Sequence, residues 1–196
     1  MKQKQKREIQ IPSMEEVEAE RNRLSHKRAY SKALRSTVLT LVVVAAVAAL
    51  LATIFMPVMR ITGTSMGPTL NSGDVVLLWN TSSLKTGDLC GFYYQNEALI
   101  KRVIGMPGDY INIDDHGNVY VNSVLLDEPY ISEKALGECD VEFPYQVPDN
   151  KFFVLGDHRL SSIDSRNSVV GCIDKGQIIG KVLLRIWPVG KFTTFN

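Results

Sequence analysis

A serine hydroxyl attacks a carbonyl only when a neighbouring base removes its proton, and a lysine can be that base only while its amine is neutral. Neutrality requires desolvation, which disfavours the ammonium, so such a lysine has to lie among apolar groups. Ser65, in the turn-rich stretch GTSMGPTL at 63–70, and Lys101, inside the apolar run ALIKRVI at 98–104, meet those two requirements. Extended as a strand, that run puts Leu99, Lys101 and Val103 on one face and Ile100, Arg102 and Ile104 on the other. The guanidinium of Arg102 is thereby kept off the face of the Lys101 amine. Taken alone, Lys101 reads more simply as an edge-strand lysine in water, and that reading loses weight only beside the other motifs. Together the two residues could carry out acyl transfer: attack on a carbonyl, a covalent acyl-enzyme, and its hydrolysis by a lysine-activated water.

Other matches lack the surroundings that their chemistry needs. GTSMG at 63–67 fits G-x-S-x-G, but Pro68 follows at once where a nucleophile elbow requires a helix. SSLK at 82–85 fits S-x-x-K and KTG at 85–87 fits K-T-G, yet the two share Lys85 instead of facing each other across a cleft. Asn80-Thr81-Ser82 is a glycosylation sequon of a kind that arises by chance. His158, or less directly His116, is the base that a Ser/His hydrolase would use. Cys90, Cys139 and Cys172 form no CxxC and no cluster with histidine, so no metal site is read. Unpaired thiols are the default, with Cys139 to Cys172 the one bridge conceivable.

A scaffold must position these groups. The chain has 196 residues, enough for one domain and a small appendage, and a net charge of +1 that argues against wholesale nucleic-acid binding. The charge is uneven: residues 1–36 hold ten basic side chains, Lys2, Lys4, Lys6 and Arg7 among them, and five acidic ones, a net of +5 against −4 for the rest. After this basic head comes VLTLVVVAAVAALLATIFMPVM at 38–59, 22 residues without a charge. At ~1.5 Å per residue such a helix is roughly 33 Å long, enough to cross a bilayer core. A soluble core helix is rarely apolar on every face for so long, and a cleaved signal peptide has a shorter charged and apolar region. A transmembrane helix is therefore read at 37–59, uncleaved. The preceding Lys and Arg residues put the 1–36 segment in the cytoplasm of a cell-membrane protein and residues 60–196 outside. Ser13 with Glu16 marks a capping box opening a mixed-charge helix that leads into the span.

Beyond the span the texture is mainly β. Runs at 74–79, 88–94, 98–105, 110–114, 118–122, 151–156 and 178–187 are separated by Gly-, Asp- and Asn-rich turns, and helical periodicity is missing. The sequence thus predicts an extracytoplasmic antiparallel β domain, with 109–149 as a small β insertion carrying its own hairpin.

Four blocks behind this anchor resemble bacterial type I signal peptidases, the membrane-anchored Ser/Lys endopeptidases of S26 type that remove signal peptides from exported proteins. GTSMGPTL at 63–70 is similar to the nucleophile block, GDVV at 73–76 to the next, KRVIGMPGD at 101–109 to the general-base block and GDHRLSSIDSR at 156–166 to the last. The resemblance implies Ser65 as nucleophile, Lys101 as base and Ser162 as the hydroxyl that orients the lysine amine. It also implies Asp164 paired with both Arg166 and Arg102, and an oxyanion site at the Ser65 backbone N–H beside Gly63. An extended preprotein would add as a strand near 61–66 and 98–101, its small residues entering pockets near Ile61, Met66 and Ile100. The implied partners are membrane-tethered preproteins and the bilayer, with no cofactor and no nucleic acid. Ser65 lies five residues past Arg60, so at ~3.3 Å per residue it is within roughly 17 Å of the expected anchor end. Two positions depart from the family's pattern: His158 stands where Asn is usual, and Gly63 where some members carry a hydroxyl residue. The competing class is a membrane-anchored, non-catalytic assembly or binding protein of the same fold, which would be expected to have lost Ser65 or Lys101.

Overall fold

A computed structural model describes residues 13–195, in two compact units, Met1–Leu50 and Leu51–Asn196. Lys2, Lys4, Lys6 and Arg7 of the basic head lie outside the described residues. Helix α1, Met14–Phe55, begins at the expected capping box: the Ser13 N–H donates to the Glu16 carboxylate at 2.9 Å and the Glu16 N–H to Ser13 Oγ at 3.3 Å. Mixed-charge head and apolar span form one 42-residue helix, none of whose residues is buried. It is the one helix among the described residues long and apolar enough to cross a membrane.

The span ends earlier than its hydropathy suggests. Pro57 has no amide N–H to donate and disfavours helical geometry at Met56, so α1 stops at Phe55 and the last apolar residues become strand β1, Val58–Arg60. Ser65 is then ten residues from the helix end, and the contour bound rises from roughly 17 Å to roughly 33 Å.

No further α-helix follows among the described residues. The strands in chain order after β1 are β2 (Val75–Trp79), β3 (Leu89–Tyr94), β4 (Glu97–Gly105), β5 (Tyr110–Ile113), β6 (Val119–Val121), β7 (Val124–Leu125), β8 (Tyr145–Gln146), β9 (Lys151–Leu155), β10 (Ile173–Asp174), β11 (Ile178–Trp187) and β12 (Thr193–Thr194). Each β run read from the sequence coincides with one of them to within a residue or so at either end. The main antiparallel sheet has the order β1-β2-β11-β3-β4-β9-β10, with β12 on β11, and a smaller sheet β7-β6-β5-β8 is built from the inserted stretch. Ile111, Val119 and Val147 of the insertion share one core with Ile104 of β4 and Phe153 and Leu155 of β9, which fixes the small sheet to the strand carrying Lys101. Cys90, Cys139 and Cys172 are free thiols, so the conceivable Cys139 to Cys172 bridge is not made.

Candidate active site

Strand β4 brings the lysine in. Lys101 pairs with Cys90 of β3, while pairing with β9 begins only at Arg102, so residues 98–101 have β3 on one side and an open cleft on the other. The solvent-exposed reading of Lys101 is overturned, because Leu99 and Val103 pack into the core on either side of it and Lys101 is only 4% exposed. Its amine is brought down to about 8, chiefly by burial, with Asp164 and Asp157 acting to raise it and Arg166 to lower it. The amine donates to Ser162 Oγ at 2.9 Å. Ser162 has the contact that the family resemblance implied.

Ser65, half-buried, lines the same cleft as Lys101, together with Met59, Ile61, Gly63, Met66 and Ile100. Ile61, Met66 and Ile100 belong at once to the cleft and to the hydrophobic core beneath it, so their side chains are backed by Leu70, Val76 and Leu78. Tight turning around the serine is set by backbone bonds from Gly67 N–H to Thr64 C=O at 3.0 Å and from Leu70 N–H to Met66 C=O at 2.8 Å. Gly63 adopts φ +85 with open space where a Cβ would stand. Glycine answers a backbone requirement here, and a hydroxyl residue would have to accept a left-handed conformation to occupy the position.

The 156–166 segment closes the site from the far side. The His158 N–H donates to the Ser65 carbonyl at 3.1 Å, and a Cβ on Gly156 would collide both with the Ser162 side chain and with the Ser65 carbonyl oxygen. Gly156 is therefore where the two segments and the lysine's hydroxyl partner converge. Asp164 accepts from the Gly156 N–H at 2.9 Å and from Arg166 Nε and Nη2, each at 2.8 Å, and Arg166 Nη2 also reaches the Ser162 carbonyl at 3.3 Å. Both members of this pair are buried. Asp164 and Arg166 thus hold the backbone on either side of Ser162.

Arg102 does not pair with Asp164 as the resemblance implied. Its carboxylate is Asp157, bound by Nε at 2.8 Å and by Nη2 at 2.6 Å. The reason is register: Arg102 lies opposite Leu155, two residues before Asp157, while the oxygens of Asp164 are already engaged by Arg166 and backbone N–H groups. Thr69, four residues past Ser65, donates its hydroxyl to the same Asp157. A second clamp joins Arg185 of β11 to Asp74 at 2.9 Å and to the Thr69 carbonyl at 3.2 Å. Both clamps grip the nucleophile loop at Thr69, on its C-terminal side.

Thr69, Asp157, Asp74 and Arg185 were not singled out in the sequence. A signal existed for Arg185, since a cation inside the apolar run IIGKVLLRIW, which holds Lys181 as well, needs a partner when its face turns inward. Neither histidine lines the cleft that holds Ser65 and Lys101. The His158 ring shares a hydrogen bond with Ser161 Oγ at 2.6 Å, and His116 is exposed on a turn of the smaller sheet. Lys85 of the S-x-x-K and K-T-G matches is an exposed loop residue.

A family model described as signal peptidase, peptidase S26, matches residues 34–187. Signal peptidase I U of Bacillus subtilis is 33% identical over 167 residues, covering 79% of this chain and 88% of its own length. Signal peptidase I of Bacillus licheniformis is 38% identical over 162 residues, covering 75% of this chain and 86% of its own. A solved signal peptidase I from Enterococcus faecalis aligns with a TM-score of 0.42 at 26% identity, over 50% of this chain and 96% of that one. The match over 34–187 and the identity to the Bacillus enzymes along most of both chains show that this chain belongs to the signal peptidase S26 family.

Proposed function

We propose that this protein is a membrane-anchored endopeptidase that removes signal peptides from exported preproteins, with Ser65 as nucleophile and Lys101 as general base. One observation carries the assignment of the pair: a buried lysine amine, drawn down to about 8 and bonded to Ser162, borders the same cleft as Ser65. In the reaction, neutral Lys101 takes the proton of Ser65 Oγ as the oxygen attacks the scissile carbonyl. The new ammonium then protonates the leaving amine, and a water activated by the same lysine hydrolyses the acyl-enzyme. Ser162 keeps the amine aimed. The Ser65 N–H beside Gly63 is the oxyanion donor, acting with less side-chain help than a hydroxyl residue at 63 would give.

The substrate reading follows the cleft. The unpaired side of 98–101 is a strand edge to which an extended peptide can add, with Ile61, Met66 and Ile100 leaving room for small side chains. With α1 across the cell membrane and the basic head in the cytoplasm, residues 60–196 face outward, within chain reach of a substrate still held in the bilayer. Only the neutral amine accepts a proton, so the rate is expected to fall about tenfold for each pH unit below about 8.

The assay is cleavage of a preprotein by the full chain in detergent, with the new N-terminus of the product read by mass spectrometry. Wild type cuts after the signal peptide, and Ser65→Ala and Lys101→Ala leave the preprotein whole. Cleavage at the same bond by either variant would refute the assignment.

A further inference from the structure

Residues 126–138 leave the smaller sheet and cross the charged frame of the site. Glu128, 6% exposed, is bound by both Nη atoms of Arg159, itself 2% exposed, and Arg159 Nε donates to the Gly156 carbonyl at 3.1 Å. Tyr130 lies over Arg102 with the guanidinium carbon 3.7 Å from the ring centroid, and its hydroxyl donates to Glu128 at 3.1 Å. Further on, the carbonyls of Ala135 and Leu136 accept from Arg166 Nη1. One segment of the insertion therefore touches Arg102, Arg159 and Arg166, each of which is bonded to the 156–166 block. No step of the proposed mechanism uses these contacts.

We infer that this segment is a strap that tunes the site, with Tyr130 as its positioning residue: the ring seals the outer face of Arg102 from water and so locks the guanidinium on Asp157. The inference rests on the reading of Lys101 as the base. Asp157 is one of the charges that favour the ammonium form of Lys101, and a two-pronged Arg102 offsets it. An Arg102 free to hydrate offsets less, and water admitted beside it also relieves the burial that keeps the lysine neutral. Both consequences make Lys101 harder to deprotonate. The other charges around the pair are Asp164 and Arg166 facing Lys101, Glu128 and Arg159 facing Tyr130, and the Asp88–Lys181 ion pair at 2.8 Å lining the groove over Arg102. A change confined to the Tyr130 side chain leaves all of them present.

The test is the pH dependence of kcat/KM for the full chain in detergent, measured on wild type, Tyr130→Phe, Tyr130→Leu and Lys101→Ala. Phenylalanine keeps the ring over the guanidinium and is expected to keep the wild-type acid midpoint. Leucine is expected to move that midpoint up by about half to one pH unit, with KM little changed. An acid limb absent from wild type, or activity in Lys101→Ala, would refute the base assignment itself. With that limb intact, a Tyr130→Leu midpoint equal to wild type overturns the strap alone. Tyr130→Met is the second aliphatic variant, and thermal melting reports whether each is folded; loss of fold in both reduces Tyr130 to a stability role and equally overturns the proposal.

Discussion

The helix and the β domain treat water in opposite ways. In α1 no residue is buried, and its second half turns Leu39, Val44 and Val47 outward. In the β domain, Lys101, Arg102, Glu128, Asp157, Arg159, Asp164, Arg166 and Arg185 are all buried. Exposed apolar side chains along a helix lower their free energy once lipid surrounds them. Buried ion pairs bring little net stability, because desolvation offsets their attraction. Here Asp157, Asp164 and Arg166 act on one lysine, and among the described residues no buried side-chain nitrogen or oxygen is left without a hydrogen-bond partner. The contrast separates a candidate membrane anchor from the residues proposed for the chemistry: one region exposes its apolar side chains, the other buries its charges.

The largest expected effect comes from breaking the buried side of that comparison. Lys101→Ala should lower kcat/KM by about four orders of magnitude, while Lys85→Ala, on an exposed loop, leaves it unchanged in the same peptide assay. Gly156→Ala comes next. Its methyl displaces Ser162 from the lysine amine and Ser65 from its carbonyl contact, a misplacement worth about a hundredfold in kcat with the fold retained by circular dichroism. The helix should show the smallest effect on chemistry. Val47→Arg costs about 2.5–3.5 kcal/mol at the centre of a span, so carbonate extraction should release more of the protein from membranes. Its turnover of a short peptide in detergent should match wild type, and a matching fall in turnover would show that the two regions are not separable in this way.

Much of this contrast was legible in the sequence because it rests on local pattern. Alternating apolar runs between Gly- and Asp-rich turns located the strands, and the uncharged stretch located the span. Pro57 was legible too, yet hydropathy outweighed it, and the helix was read to 59 where it ends at Phe55. Pairings over long separations were harder to see. That Arg102 takes Asp157 depends on how β4 registers against β9, and periodicity within either strand does not contain it. Glu128 and Tyr130 gave no signal at all, since their partners Arg159 and Arg102 lie some thirty residues away on either side and only the folded insertion brings them together. Ser65 and Lys101 stood out by residue type and surroundings, whereas Ser162 came only from the resemblance of the 156–166 block to the family's last block.

The central claim is that burial brings the Lys101 amine down to about 8, so that a usable fraction is neutral near physiological pH. Its most direct test is the titration of the Lys101 Cε resonance in lysine-labelled full-length protein, assigned by its loss in Lys101→Arg. A midpoint near pH 8 is the predicted result, and an amine that stays charged up to its ordinary value of 10.5 would contradict the account.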